Sequence, residues 1–118
     1  MSRPSRPGWL PLVGTDLPSR ISLSPKAEAD LEDVWIYTAE RWSSHQADRY
    51  IESLAATFDM LLAMPLIARE RKELSQPVRL HPTGSHLILY SIEGRDLLII
   101  RILGGRQDWQ VLLEALDP

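Results

Sequence analysis

Hydrophobic and polar positions follow two different periods along this chain. From Ala27, core-type positions return at three- and four-residue steps through Leu31, Val34, Trp35, Thr38 and Trp42. A second stripe runs through Ala47, Tyr50, Ile51, Leu54, Phe58, Leu61 and Leu62. Those steps predict two amphipathic helices. Ser24-Pro25 opens the first with a capping hydroxyl and a proline at the first helical position. Ser43 and Gln46 have capping-box spacing at the start of the second, and Pro65 ends it. So short a connection implies an antiparallel helical hairpin. Trp35, Trp42 and Tyr50 could be imagined as a ligand cage, but at helical spacing beside aliphatic residues they read as core.

The second half of the chain changes to strand-like runs rich in branched aliphatic residues, Val78-Arg79-Leu80-His81, His86 to Tyr90 and Leu97 to Leu103. A short strand, Ile21-Ser22-Leu23, precedes the first helix. Glu93-Gly94-Arg95-Asp96 is a tight-turn sequence in which Gly94 supplies the positive φ, so Ile92 should meet Leu97 and Tyr90 should meet Ile99. Continued without interruption, that register pairs Ile88 with Arg101 and His86 with Leu103. Taking Pro82-Thr83-Gly84-Ser85 as the other turn pairs His81 with His86. Arg79, His81, His86, Tyr90 and Arg101 then share one face with Ile88 and Ile99. Val78, Leu80, Leu87, Leu89, Ser91, Leu98, Ile100 and Ile102 form the opposite, aliphatic face, which is expected to carry the helices. Trp109, Leu112, Leu113 and Leu116 suggest a short helix at the end of the chain.

The expected fold is therefore α+β: a strand, an antiparallel helical hairpin, an antiparallel three-stranded meander joined by the first strand, and a short C-terminal helix. Prolines at 4, 7, 11 and 18 and glycines at 8 and 14 separate residues 1–20, read as a flexible leader, from a domain at 21–118.

Composition narrows the function classes. A formal net charge of −3 argues against a general nucleic-acid binder driven by charge. The chain has no cysteine, which excludes disulfides, thiolate metal sites and thiol nucleophiles and fits a reducing, cytoplasmic setting. No apolar run approaches the ~20 residues of a membrane span. His81 and His86 as cross-strand neighbours could chelate a metal, but without a third ligand neither a metal nor any other cofactor is expected. Arg101 could pair with a carboxylate such as Asp108 or contact a partner. Arg106, after two glycines, is presented for an exposed contact. The run Arg69-Glu70-Arg71-Lys72-Glu73 reads as an exposed loop.

Several segments together resemble one family. Leu23-Ser24-Pro25-Lys26-Ala27-Glu28-Ala29-Asp30-Leu31, Tyr37-Thr38-Ala39-Glu40-Arg41-Trp42, His86 to Tyr90, and Arg101-Ile102-Leu103 with Arg106 and Asp108 are similar to the ParE branch of the RelE/ParE toxins of bacterial type II toxin–antitoxin modules. The resemblance runs from about Ile21 to Leu113 and leaves out the leader. It implies a toxin that arrests growth by binding DNA gyrase, with no chemistry of its own and no sequence-specific nucleic-acid binding. It also implies a hetero-oligomer with a neutralising ParD-like antitoxin. The partner-binding residues expected from the shared sheet face are Arg79, His81, His86, Tyr90 and Arg101, joined by Arg106 and by Trp109 as core or interface, with no catalytic residue.

The RelE branch instead cleaves mRNA in the ribosome, which needs a base, an acid and cations for the phosphate. Only two lysines are present, Lys26 and Lys72, and Gly104 stands where many relatives carry histidine after the last strand. Both departures disfavour a nuclease. A non-toxic binding module on the same scaffold is the third reading.

Overall fold

A computed structural model describes residues 17–71 and 77–104. Its elements are β1 (Arg20–Leu23), α1 (Pro25–Arg41), α2 (Ser44–Ala63), β2 (Glu70–Arg71), β3 (Val78–Thr83), β4 (His86–Glu93) and β5 (Asp96–Gly104). They form a two-layer α+β unit: the helical hairpin lies on a five-stranded sheet ordered β1-β5-β4-β3-β2. The order of elements agrees with the sequence reading, with the two-residue β2 added at one edge. β1 takes in Arg20, one residue inside the expected leader. The rest of that leader through residue 16 lies outside the described residues, as do Arg106, Trp109 and the expected C-terminal helix.

Local chemistry sets the helix ends. The Ser24 hydroxyl accepts from the Ala27 N–H at 3.0 Å, and Pro25 starts α1 where no donor is needed. The same Ser24 hydroxyl donates to the Ile100 carbonyl at 2.7 Å, tying the helix start to β5. Ser43 caps α2 by accepting from Gln46 N–H at 3.0 Å.

Hydrophobic burial decides which face of the sheet meets the helices. Ala27, Val34, Leu54, Phe58 and Leu61 of the hairpin form one buried cluster with Ile88, Tyr90, Leu97, Ile99 and Ile102 of the sheet. That is the face carrying Tyr90, Arg79 and His86. The aliphatic face expected to receive the helices is the other one: Val78, Leu80 and Leu89 cluster with Leu87 and Ile100 and include no helix residue. The assignment of faces is thus reversed. Both faces are rich in branched residues, so polarity alone was a poor guide. The largest apolar groups of the mixed face bury against the hairpin while its charged groups reach backbone at the rim.

Two register corrections accompany the reversal. The β4–β5 hairpin pairs Glu93 with Asp96, Ile92 with Leu97 and Tyr90 with Ile99, as expected. An irregularity then leaves Ile100 as an extra residue, so Leu89 faces Arg101 and Ile88 faces Ile102. A bulge of this kind exchanges the faces beyond it. It brings Ile102 into the core and takes Arg101 out of register with Arg79 and His86. In the β3–β4 hairpin Thr83 pairs with His86 and His81 with Ile88, so the two histidines are not direct partners. The tighter turn is available because Gly84 adopts φ +54. Pro82 is tolerated because β2 pairs only with Val78 and Arg79, leaving β3 an open edge at Pro82.

Gly84 is doubly constrained. Besides its positive φ, a Cβ there would lie 3.0 Å from the Tyr50 hydroxyl. Gly84→Ala is expected to destabilise the domain by about 1–2 kcal/mol, measured by chemical denaturation. Gly94→Ala, where nothing stands within 4 Å, should incur only the backbone part of that cost.

Candidate functional site

Each residue singled out on the mixed face, where the structure describes it, can be followed to its contacts. Arg79 donates from Nη1 to the Ala68 carbonyl at 2.5 Å and lies 3.6 Å from the Glu70 carboxylate. Tyr90 is fully buried, and its hydroxyl donates to the Pro65 carbonyl at 2.8 Å. Together they hold the α2–β2 connection to the sheet. Burial pushes the Tyr90 phenol above its ordinary value, with the Ala68 backbone and the Arg79 charge acting the other way.

His86 meets Tyr50 of α2, Nδ1 to hydroxyl, at 2.6 Å. The Ser85 N–H donates to the same hydroxyl at 3.3 Å, so the Tyr50 phenol joins the imidazole to the turn backbone. Nearby, the Thr57 and Thr83 hydroxyls approach to 3.2 Å, a second polar tie between α2 and this hairpin. Desolvation lowers the His86 pKa below its usual 6.5, against the opposing influence of Asp30. The folded state therefore favours neutral His86, and the unfolded chain binds more protons as pH falls through 6.5. Thermal stability should hold above about pH 7 and decline below it. His86→Gln should remove part of that decline, seen by comparing melting temperatures of the two proteins across the same pH range.

Arg101 is held by a bidentate pair: Nε to Asp30 Oδ2 at 2.8 Å and Nη2 to Oδ1 at 3.0 Å. Asp30 Oδ2 also accepts from the Ile102 N–H at 2.9 Å. β1 pairs with β5 only as far as Ile99, so Ser24 and Asp30 take over the open edge from Ile100 to Ile102. The hydrogen-bonded carboxylate raises the Arg101 pKa above its already high value. Of the two roles left open for Arg101, the structure displays carboxylate pairing, with Asp30. Asp108 lies outside the described residues.

His81 is half-buried opposite Ile88. Among the described residues no group of three or more His, Cys, Asp or Glu is placed to hold a metal ion. A cleft of about 330 Å³ is lined by Glu70, Pro77, Arg79, Ser91, Ile92 and Glu93. Within it Glu70 pairs with Arg79, and the Glu93 carboxylate accepts from the Ser91 hydroxyl at 3.4 Å.

The sequence reading missed Asp30 and Tyr50 as polar organisers. Asp30 had a usable signal: it falls three residues after Ala27 and four before Val34, on the flank of the buried stripe. Tyr50 was placed in the second helix stripe, and its half-buried position fits that, but its hydroxyl partner comes from a distant hairpin. Trp35 and Trp42, read as core, are 37% and 70% exposed.

Chemically, these side chains are fasteners. Tyr50 and His86 join α2 to the β3–β4 hairpin, and Asp30 with Arg101 joins α1 to β5. No helix among the described residues is long and apolar enough to cross a membrane.

Comparison with known proteins agrees with this architecture. Residues 21–109 match the family described as the ParE toxin of the type II toxin–antitoxin system parDE. Toxin ParE1 of Mycobacterium tuberculosis is 36% identical over 91 residues, covering 76% of this chain and 93% of that protein. Toxin ParE1 of Caulobacter vibrioides is 37% identical over 81 residues, covering 69% of this chain and 83% of the relative. The solved chromosomal ParDE system from P. aeruginosa superposes with a TM-score of 0.63 at 17% identity, over 75% of this chain and 97% of that one, a likeness of fold. By sequence match and by architecture together, the chain belongs to the ParE toxin family of type II toxin–antitoxin systems.

Proposed function

We propose that this ParE-family toxin arrests growth by binding DNA gyrase and is neutralised by a ParD-like antitoxin in a hetero-oligomer. The observation that carries the reading is family membership over most of the domain. The use of Arg79, His86, Tyr90 and Arg101 as internal ties supports binding over RNA cleavage, since each is engaged by its own fold. The working contacts are assigned to the end of the chain, at Arg106 and Trp109.

Induced expression is expected to give filamentous cells, and co-expression of the antitoxin from the same locus should restore growth. Arg106→Ala should weaken the arrest without lowering the melting temperature. Unchanged arrest in that variant would place the working surface elsewhere. mRNA truncated at ribosomal A-site codons would point to the nuclease, and normal growth would point to an inert module.

A further inference from the structure

The sheet face turned away from the helical hairpin is apolar, and its side chains are shielded from water. Val78, Leu80 and Leu89 are buried there, Leu89 with only 1% of its surface exposed, and they cluster with Leu87 and Ile100. Leu103, the strand partner of Leu87, is buried as deeply as Leu89. No residue of α1 or α2 belongs to this cluster. A sheet face left to solvent exposes its side-chain tips and is ordinarily polar. Burial this deep on both sides of one sheet requires a second covering layer.

Residues 105–118 lie outside the described residues, and they leave the sheet where that layer has to begin. β5 ends at Gly104 opposite His86, one residue past the Leu87–Leu103 pair. Gly104-Gly105 gives the chain a sterically open reversal at that point. Trp109, Leu112, Leu113 and Leu116 then recur at helical spacing and make one apolar stripe. The helical rise from Trp109 to Leu116 is about 10 Å, which matches the distance from β5 across β4 to β3. The N-terminal residues are the poorer candidate. The Ser19 N–H donates to the Arg95 carbonyl at 2.8 Å, so they join at the opposite end of β5. Prolines at 4, 7 and 11 also bar a helical stripe there.

We infer that the chain's own C-terminal segment docks on this face, with Leu112, Leu113 and Leu116 seated over Leu80, Leu87 and Leu89. A helix so short is unstable by itself and takes its order from burying the stripe. Seating the stripe sets Trp109 at its head and fixes both ends of the turn that carries Arg106. The inference rests on burial and chain path, independently of what the toxin inhibits.

The chain has no cysteine, so introduced pairs report proximity without background. In the full chain, Leu80→Cys is combined in turn with Leu112→Cys, Leu113→Cys or Leu116→Cys. Glu114→Cys, on the opposite side of the helical wheel from the stripe, is the control partner. Mild oxidation should close an intramolecular disulfide in at least one stripe pair, seen as a faster monomer band on a non-reducing gel, and none with Glu114→Cys. Independently, Leu112→Ser/Leu116→Ser should lower the melting temperature by roughly 5 °C or more and raise binding of an apolar fluorescent dye. Disulfides that join only two chains would overturn the inference, because the face would then belong to a second copy. So would the absence of any stripe disulfide, equal linking through Glu114→Cys, or a serine variant with unchanged melting and dye binding.

Discussion

Asp30→Ala is expected to destabilise the domain by about 3–5 kcal/mol, one of the largest effects of any single substitution outside the apolar core. Three hydrogen bonds end on that carboxylate, two from the Arg101 guanidinium and one from the Ile102 N–H. The side chains of Arg101 and Asp30 are only 19% and 13% exposed. Removing the carboxylate leaves a cation with little water and a strand-edge donor with no acceptor. The desolvation cost of an ion pair this deep is itself high, so replacing both partners with apolar groups should be much milder. Urea denaturation of Asp30→Ala, Arg101→Met and Asp30→Leu/Arg101→Met measures all three changes. A loss below about 1 kcal/mol for Asp30→Ala would mean that the pair is solvated and does not organise the β5 edge.

Tyr90→Ala should cost a similar ~3–5 kcal/mol, by removing a fully buried aromatic ring from the centre of the helix-facing cluster. Tyr90→Phe keeps the ring and loses only the donor to Pro65, leaving that carbonyl short of a partner, so about 1–2 kcal/mol is expected. The contrast between the two is the informative quantity. A solvent-facing tyrosine on a partner surface would show a small stability change in both variants. A large one in Tyr90→Ala alone marks it as core.

What could be read directly from the chain were features governed by neighbouring residues. Ser24-Pro25 and Ser43 with Gln46 announce helix starts because a cap is satisfied within one turn. The turn at Gly94 was legible for the same reason, and it fixed the register of β4 on β5 near the turn. Beyond Leu89 that local logic fails. Ile99-Ile100-Arg101-Ile102 has no residue that marks a bulge, and the extra residue is accommodated through Ser24 and Asp30, which are distant in sequence.

One irregularity was enough to take Arg101 out of the expected cationic set. The face reversal has a related cause. Arg79 and Tyr90 look like surface chemistry until Ala68 and Pro65 are placed above them as acceptors. Trp35 and Trp42 kept helical spacing with the core stripe but fall on its flank, where among the described residues α2 leaves them exposed.

The same reassignment clarifies how function should divide across the molecule. Side chains that the residue types alone suggested for a target are largely committed to the fold. Binding is therefore expected from surfaces the fold leaves open and from the end of the chain. His86 illustrates the difference: its imidazole joins α2 to a hairpin turn, and its titration reads out stability.

The most direct measurement for the account is a DNA-cleavage titration with purified gyrase, plasmid and this toxin. Accumulation of linear, gyrase-linked DNA with added protein, suppressed by prior mixing with the antitoxin and diminished in Arg106→Ala, is the predicted result. Full supercoiling activity at toxin concentrations well above that of the enzyme, with no linear product, would contradict it.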